Sequence, residues 1–138
     1  MVKAGGMRRN ERTLIAAHRA GAGLWPENSM TAFRNALMTD VDFIEFDVHR
    51  TRDGVLVVHH DAVLGRTADG DGALGGMAWP DLKRIALRGL PNERIPLLTT
   101  VLGVFDESPI RPRVELKADA GDQIYPGMTA AVCAILRA

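Results

Sequence analysis

Segments that are short and apolar alternate along this chain with segments whose apolar residues recur at helical spacing. The short apolar runs, over residues 12–20, 41–48 and 111–118, have the length of buried strands. Helical patterns cover residues 29 to about 39, about 80–88, 99 onward and 126–137, with Asn28 or Ser29 able to cap the first helix. Strands separated by helices are typical of βαβ units, so the sequence predicts an α/β fold built on a parallel sheet.

The stretch "IEFDVHRTRDGVLVVHHD", residues 44–61, adds an antiparallel hairpin to this pattern. Its turn signal is "RDG" at residues 52–54. A turn centred there pairs positions whose numbers sum to about 106, which brings His60 close to Asp47. Successive strand residues face opposite ways, so only one of His59 and His60 can point toward Asp47.

Two carboxylates lie two positions apart in the second apolar run. Glu45 and Asp47 therefore point to the same face of a strand. Ile44, Phe46 and Val48 point to the other face, toward the helices. Two ionised carboxylates on a strand covered on both sides repel each other and lose hydration. A divalent cation such as Mg²⁺ or Ca²⁺ resolves both problems, and the alternative is an acidic pair that reaches solvent or an arginine.

The carboxyl ends of parallel strands gather on one side of a sheet, and polar residues lie toward all three of these ends. They are His18 and Arg19, Glu45 and Asp47, and Glu115 and Lys117. Three carboxylates can bind a hard cation, Arg19 and Lys117 can hold an anionic oxygen, and histidines, His60 included, can move protons. The combination indicates metal-assisted cleavage of a phosphate ester.

Four segments together resemble the glycerophosphodiester phosphodiesterase family. They are "AHRAGAGLWPENSMTAF", "DFIEFDVHRTRDGVLVVHHDAVLGRTADGDG", "RIPLLTTVL" and "VELK", and in the family's order they cover about residues 13 to 118. The resemblance implies a TIM-type (β/α)8 barrel with a small insertion after the second strand. It also implies hydrolysis of glycerophosphodiesters to glycerol 3-phosphate and an alcohol.

The resemblance also implies a role for each polar residue. Metal ligands are expected at Glu45, Asp47 and Glu115, the acid/base pair at His18 and His60, and phosphate contacts at Arg19 and Lys117. It selects His60 over His59. The cofactor is then a divalent cation, Mg²⁺ or Ca²⁺, and the partner is a small-molecule glycerophosphodiester.

The chain departs from the family's pattern at two places. Ala20 follows His18-Arg19 where the family usually has glycine. The backbone at this position must therefore tolerate a Cβ. Thr99-Thr100 stands where an acidic pair is usual, so a contact close to the site is expected to be weaker. Glu27 matches the family, and we interpret it as a structural partner of Arg19 or a loop cap.

The length of 138 residues falls short of the roughly 250 residues of a (β/α)8 barrel. We expect residues 13–138 to form the N-terminal part of such a barrel, with three βα units and an insertion at about 50–93, after a flexible N-terminus at 1–12. An open three-stranded sheet exposes an apolar edge. A truncated enzyme, a homo-oligomer that covers the open side, and a degenerate protein are all consistent with this length.

Composition narrows the class of protein. Seventeen basic residues balance seventeen acidic ones, which gives no argument for nucleic acid as a partner. No apolar run approaches a transmembrane segment, and the single Cys133 fits a reducing compartment, so a cytoplasmic enzyme is expected.

Two alternative functions stay open. One is a catalytically incomplete domain that binds a cation or phosphate or only associates with partners, and the other is a lyase of the same superfamily. "GRTADGDG" lacks the spacing of a dinucleotide fingerprint.

Overall fold

The computed structural model describes residues 12–138 of the chain. The flexible N-terminus expected at residues 1–12 therefore lies outside the described residues, except for Arg12. Arg12 forms an ion pair with Asp42. This contact holds the start of the described chain beside the first residues of the central strand.

Six strands and four helices make up the described part of the chain. The strands are β1 (Ala16–Ala17), β2 (Phe43–Arg50), β3 (Leu56–Val58), β4 (Ala86–Leu87), β5 (Leu90–Arg94) and β6 (Arg111–Leu116). The helices are α1 (Met30–Ala36), α2 (Trp79–Leu82), α3 (Leu98–Gly103) and α4 (Met128–Arg137), and two 3₁₀ turns cover His18–Ala20 and Leu74–Gly76.

Strand β2 is the centre of the main sheet. β6 pairs with it in parallel along one edge, in a register that places Asp47 opposite Glu115. β1 pairs in parallel with the first residues of the other edge, and β3 pairs antiparallel with its last residues. The three parallel strands confirm the predicted α/β fold. The pairing of Val48 with Val58 confirms the predicted hairpin register, since the two numbers sum to 106.

The larger core lies between the main sheet and helices α1, α3 and α4. Ile44, Phe46 and Val48 of β2 are all fully buried on this side, as their alternation predicted. Phe33 of α1 meets Phe46 edge to face, with 5.3 Å between ring centroids. Burying one such aromatic side chain stabilises the fold by about 2 kcal/mol. Because side chains alternate along a strand, burial of the apolar face of β2 directs the polar face of the same strand to the opposite side of the sheet.

A smaller core lies within the segment that follows the hairpin. Val57 on β3 packs with Leu64, Leu74, Leu82 and Ile95, all of them buried. This segment therefore has its own apolar cluster, which contacts the main sheet through β3.

Three of the expected boundaries were wrong. The strand expected at 12–20 is only Ala16–Ala17, because residues 18–20 turn out of the sheet. Helix α1, capped by the Ser29 side chain, ends at Ala36 rather than at about 39. The helix expected at 80–88 ends at Leu82, and β4 pairs with β5 across a turn in which Gly89 has φ +79°. A left-handed glycine favours such a tight reversal over a continuing helix.

Across residues 12–138 the structure contains no helix with the length and apolar character needed to cross a bilayer.

The turn after β1 provides a test of local backbone strain. Gly21 has φ +93°, and a Cβ there would lie 2.8 Å from the Trp25 ring. Gly21→Ala is expected to lower the free energy of unfolding by about 2 kcal/mol or more, since it adds left-handed strain to a steric overlap. Urea denaturation followed by circular dichroism measures the change.

Gly23→Ala is the matched control, because its Cβ would meet nothing within 4 Å. Its free energy of unfolding should stay within about 0.5 kcal/mol of the parent value. Equal stabilities for the two variants would contradict the geometry described for this turn.

Candidate active site

A left-handed backbone turn at the end of β1 starts the site. Arg19, Ala20 and Gly21 have φ of 50°, 59° and 93°. Non-glycine residues seldom adopt this region, so the turn is held by its surroundings. The Arg19 backbone N–H donates to Glu45 Oε2 at 2.9 Å, and the N–H groups of Gly21 and Ala22 donate to the His18 carbonyl. The backbone at Ala20 thus accommodates a Cβ, with the residue fully buried.

Three carboxylates meet at the polar face of the sheet. Glu45 and Asp47 alternate along β2, and Glu115 is the parallel partner of Asp47 on β6. Each of them offers an oxygen that lies within 4.8 Å of the other two. The three residues that the sequence singled out for a cation are therefore close enough to share one.

Asp47 is the most deeply buried of these groups, with a side chain only 1% exposed. Its Oδ2 accepts a hydrogen bond of 2.9 Å from Asn28 Nδ2 and lies 3.8 Å from Arg19 Nε. Asp47 Oδ1 and Glu45 Oε1 are buried without a hydrogen-bond partner in residues 12–138. Buried carboxylate oxygens without donors are rare, and a hard cation is one group that satisfies them.

Lys117 follows β6 directly and lies among the acidic groups. Its ammonium nitrogen is 2.9 Å from Glu115 Oε1 and 3.7 Å from Asp47 Oδ1. The hydrogen bond from Lys117 lowers the pKa of Glu115. Burial lowers the pKa of Lys117, but the hydrogen bond to Glu115 and the charges of Asp47 and Glu115 outweigh it, so the pKa lies above its usual value. Lys117 therefore stays charged.

His60 presents one nitrogen to the site and the other to a neighbouring acid. Its Nε2 is 2.7 Å from Arg19 Nη2, and its Nδ1 is 2.7 Å from Asp61 Oδ1. A guanidinium can only donate, so Nε2 accepts and Nδ1 carries the proton that Asp61 accepts. His59 instead lies buried, and burial lowers its pKa to about 4. The structure thus places His60, rather than His59, beside Arg19.

An ionic network that the sequence reasoning missed supports His60. Arg66 donates to Asp61 and to Glu27, with shortest distances of 2.6 Å to each. Glu27 also accepts a hydrogen bond of 3.3 Å from Arg19, as its interpretation as a partner of Arg19 predicted. Burial raises the pKa of Asp61, but hydrogen bonds from Arg66 and His60 outweigh it and hold the pKa at about 2. The acid next to His60 in "HHD" was the available signal for this network.

His18 lies at the rim of the site. The His18 side chain is 67% exposed, and its Nε2 is 3.9 Å from Glu45 Oε2, beyond hydrogen-bond distance. Thr99 and Thr100, the positions where an acidic pair was expected in the family, are exposed at the start of α3. The structure brings the other six predicted residues together and leaves His18 at the rim.

A cleft of about 650 Å³ opens beside this cluster. Its walls include His60, Asp61, Glu115 and Lys117. The proton-transfer candidate, one of the acidic groups and the lysine therefore all face a space large enough for a small molecule.

The sequence profile of the glycerophosphoryl diester phosphodiesterase family matches residues 18–126. The chain belongs to this family. It is 34% identical over 122 residues to a glycerophosphodiester phosphodiesterase of Caldanaerobacter subterraneus subsp. tengcongensis, covering 85% of this chain and 49% of that protein. It is 40% identical over 122 residues to one of Bacillus altitudinis, covering 84% and 49%.

Solved structures of this family superpose on the fold. A putative glycerophosphoryl diester phosphodiesterase of Agrobacterium tumefaciens matches with a TM-score of 0.86 and 30% identity, over 91% of this chain and 51% of that one. A phosphodiesterase of Oleispira antarctica, solved in complex with the product sn-glycerol-3-phosphate, matches with a TM-score of 0.78 and 28% identity, over 91% and 52%. The chain thus spans about half the length of the curated relatives it matches.

The network around Arg66 predicts a specific loss of stability in acid. The pKa of Asp61 is lower in the folded state than its usual 3.8, so its ionised form stabilises the fold above about pH 4. That contribution is lost as the pH falls to about 2. Arg66→Gln should lower stability at neutral pH, and its difference from the parent should shrink between pH 4 and 2. Urea unfolding at a series of pH values measures both.

Arg88→Gln is the control for this experiment. Arg88 Nε lies 3.7 Å from Asp69, in an ion pair whose side chains are 55% and 64% exposed. Such exposed pairs contribute about 0–1 kcal/mol, so the parent pH dependence should persist. A similar pH dependence in Arg66→Gln would contradict a stabilising role for this network.

Proposed function

We propose that this chain carries the catalytic residues of an enzyme that hydrolyses glycerophosphodiesters to glycerol 3-phosphate and an alcohol. The observation that carries the proposal is the convergence of Glu45, Asp47 and Glu115, with oxygens within 4.8 Å of one another, beside His60 and Arg19. Membership of the family supports the same chemistry, as does the product found in the Oleispira antarctica relative. The arrangement suits phosphate-ester cleavage, which needs charge neutralisation and proton transfer at one place.

The donor set fits a divalent cation. Glu45, Asp47 and Glu115 would hold it through carboxylate oxygens, the ligands that Mg²⁺ and Ca²⁺ prefer. The buried oxygens of Glu45 and Asp47 that lack donors support this assignment. When bound, such a cation supplies Lewis-acid stabilisation of the negative charge on a phosphoryl group.

Arg19 and Lys117 would bind the phosphate. Arg19 is held on one side by Glu27 and reaches His60 on the other, so its guanidinium is oriented before a substrate arrives. Guanidinium groups bind phosphate oxygens in a fixed, two-donor geometry, and an ammonium adds a compact charge. The Lys117 ammonium also lies 3.4 Å from His60 Nε2, so pairing of both cationic groups with phosphoryl oxygens would free this nitrogen.

His60 and His18 would transfer the protons. Nε2 of His60 has its lone pair toward Arg19, while Asp61 holds the ring through Nδ1–H and favours the protonated ring that forms on accepting a proton. His60 is therefore the candidate base for the attacking hydroxyl. His18, exposed at the rim beside Glu45, is the candidate acid for the leaving alkoxide.

The place of this fold within a barrel is part of the same proposal. Residues 13–138 would form the first three βα units of a (β/α)8 barrel, with β1, β2 and β6 as its strands and the insertion at about 50–93 between the second and third. A cytoplasmic location stays a prediction from the single cysteine.

The exposed strand β6 favours a second candidate function, a domain that binds a cation or phosphate and associates with partners. Arg111, Arg113, Glu115 and Leu116 are exposed there, although the strand is paired with β2 on one side. An unpaired strand edge is a template for association, so further copies of this chain could cover it as a homo-oligomer.

Metal binding is the first test of the proposal. Isothermal titration with Mg²⁺ and with Ca²⁺ should show one site per chain. Asp47→Asn should weaken binding by at least about 10-fold, since it removes the charge of the most buried ligand and leaves the side chain's shape.

Glu107→Gln is the matched control, because Glu107 is an exposed carboxylate in the turn that follows α3. It should bind the cation like the parent. Equal affinities for Asp47→Asn and the parent would contradict the proposed ligand set.

Hydrolysis of glycerophosphocholine is the second test. We expect turnover that EDTA abolishes and that added cation restores. His18→Ala and His60→Ala should each lower kcat by about 10² to 10⁴-fold, the usual contribution of a general acid or base. A coupled assay of glycerol 3-phosphate release measures the rates.

The solution mass of the same sample separates the candidate functions. A folded, active oligomer supports a site whose open side, at the edge of β6 that is unpaired within residues 12–138, is covered by other copies of the chain. A folded sample without turnover at any cation concentration would favour the binding domain, and unchanged activity in His18→Ala would remove His18 from the acid/base pair.

A further inference from the structure

The backbone carbonyl of His60 accepts a hydrogen bond from a second, buried histidine. His49 Nε2 lies 3.0 Å from His60 O, and His49 Nδ1 lies 2.9 Å from the Tyr125 hydroxyl. His49 is fully buried and Tyr125 is 8% exposed. The two residues are 76 positions apart, so the contact joins the central strand to the loop before α4.

The chemistry of these groups fixes the direction of both hydrogen bonds. A carbonyl oxygen can only accept, so His49 Nε2 carries a proton and donates it. In the neutral ring Nδ1 then accepts, and the Tyr125 hydroxyl donates. Burial raises the pKa of Tyr125 to about 12, so the hydroxyl keeps the proton that it donates. The chain of hydrogen bonds therefore runs from the Tyr125 hydroxyl through His49 to the His60 carbonyl.

The carbonyl of His60 depends on this donor. Strand β3 ends at Val58, and the last backbone bond of the hairpin runs from His59 N to Asp47 O at 3.0 Å. Within residues 12–138 no backbone N–H donates to the carbonyl of His60. The backbone of the sheet therefore provides no donor for the His60 carbonyl, at the residue whose imidazole faces the site.

Tyr125 is itself held in position by close packing. Its ring lies perpendicular to that of His49, with 5.8 Å between centroids. A Cβ built on Gly75 would lie 2.8 Å from the Tyr125 ring, so the 3₁₀ turn at Leu74–Gly76 fits against it with no space for a side chain. The Tyr125 hydroxyl, which donates to His49, is thus positioned by the turn at Leu74–Gly76 as well as by its own loop.

We propose that His49 and Tyr125 are positioning residues that set the orientation of His60 through its backbone carbonyl. The inference rests on the proposed function, in which His60 moves a proton. Asp61 holds the ring from its Nδ1 side, and His49 holds the peptide that carries the ring. Together the two hydrogen bonds restrain the backbone and the ring of His60, so that Nε2 keeps one orientation toward the site.

Three substitutions in the full chain test the proposal. His49→Leu removes the donor, and should lower kcat about 10- to 100-fold with KM changed by less than about 3-fold, because it displaces a reacting group and leaves the binding groups. His49→Gln keeps a donor and an acceptor, and should stay within about 3-fold of the parent kcat. Tyr125→Phe keeps the ring against Gly75, and should lower kcat about 3- to 10-fold.

His59→Leu is the matched control for the loss of a buried imidazole. The Nε2 atom of His59 has no hydrogen-bond partner in residues 12–138, so its removal should leave kcat within about 2-fold. A folded His49→Leu with the parent kcat would overturn the proposal. So would a His49→Gln that is as slow as His49→Leu, or a His59→Leu that is equally slow.

An NMR experiment tests the same inference without turnover. In ¹⁵N-edited spectra the His60 Nδ1–H resonance, protected by Asp61, should persist in the parent and in His49→Gln and be lost by exchange in His49→Leu. Persistence in all three would overturn the proposal even if the enzyme is active. If the parent does not hydrolyse the substrate, the proposed function fails and this comparison alone decides the positioning role. Tyr125→Phe, with a weaker resonance expected, replaces His49→Leu if that variant does not fold.

Discussion

A negative charge buried at the centre of a sheet organises the polar side of this molecule. Asp47 is almost completely enclosed, and an unpaired carboxylate there would cost several kcal/mol. The chain surrounds it with the amide of Asn28 and the cationic groups of Arg19 and Lys117. Two of these partners come from backbone that is itself constrained, since Arg19 and Asn28 both have positive φ.

This electrostatic demand explains why strained backbone is found here. A left-handed non-glycine residue costs roughly 1–2 kcal/mol, which is small beside the penalty of leaving a buried carboxylate alone. The Arg19 N–H also donates to Glu45, so the same turn serves both acids of β2. Ala20 adopts the left-handed conformation at the position where the related enzymes were expected to have glycine, and its methyl group fills the core in return.

The features that follow a regular period were predictable from the sequence. The two faces of β2 and the register of the hairpin follow from side-chain alternation and from the turn at 52–54, and both match the structure. The short turn at His18–Ala20 and the hairpin of β4 and β5 depend on single residues in special conformations and on tertiary contacts. Local propensity does not specify these, which is why a longer strand and a longer helix were expected instead.

The candidate site divides in the same way. Glu45, Asp47 and Glu115 follow from strand alternation and from a parallel pairing, and the family resemblance that the comparisons confirm points to the same residues. The partners of His60 do not follow, because Arg66 comes from an irregular loop and His49 acts through a backbone carbonyl. His49 lies two residues after Asp47 and therefore on the polar face of β2, but nothing in its spacing shows that it contacts the His60 carbonyl.

The link from Arg66 to Asp61 also restricts how this protein can vary. Surface loops ordinarily accept added or deleted residues with little effect. Here the four residues between Asp61 and Arg66 must return the guanidinium to within 2.6 Å of the carboxylate while it also reaches Glu27. A change in the length of that loop would displace Asp61 and with it the His60 imidazole. The exposed Val63 should therefore accept other side chains far more readily than the loop accepts an added or deleted residue, whereas Leu64 is held in the smaller core.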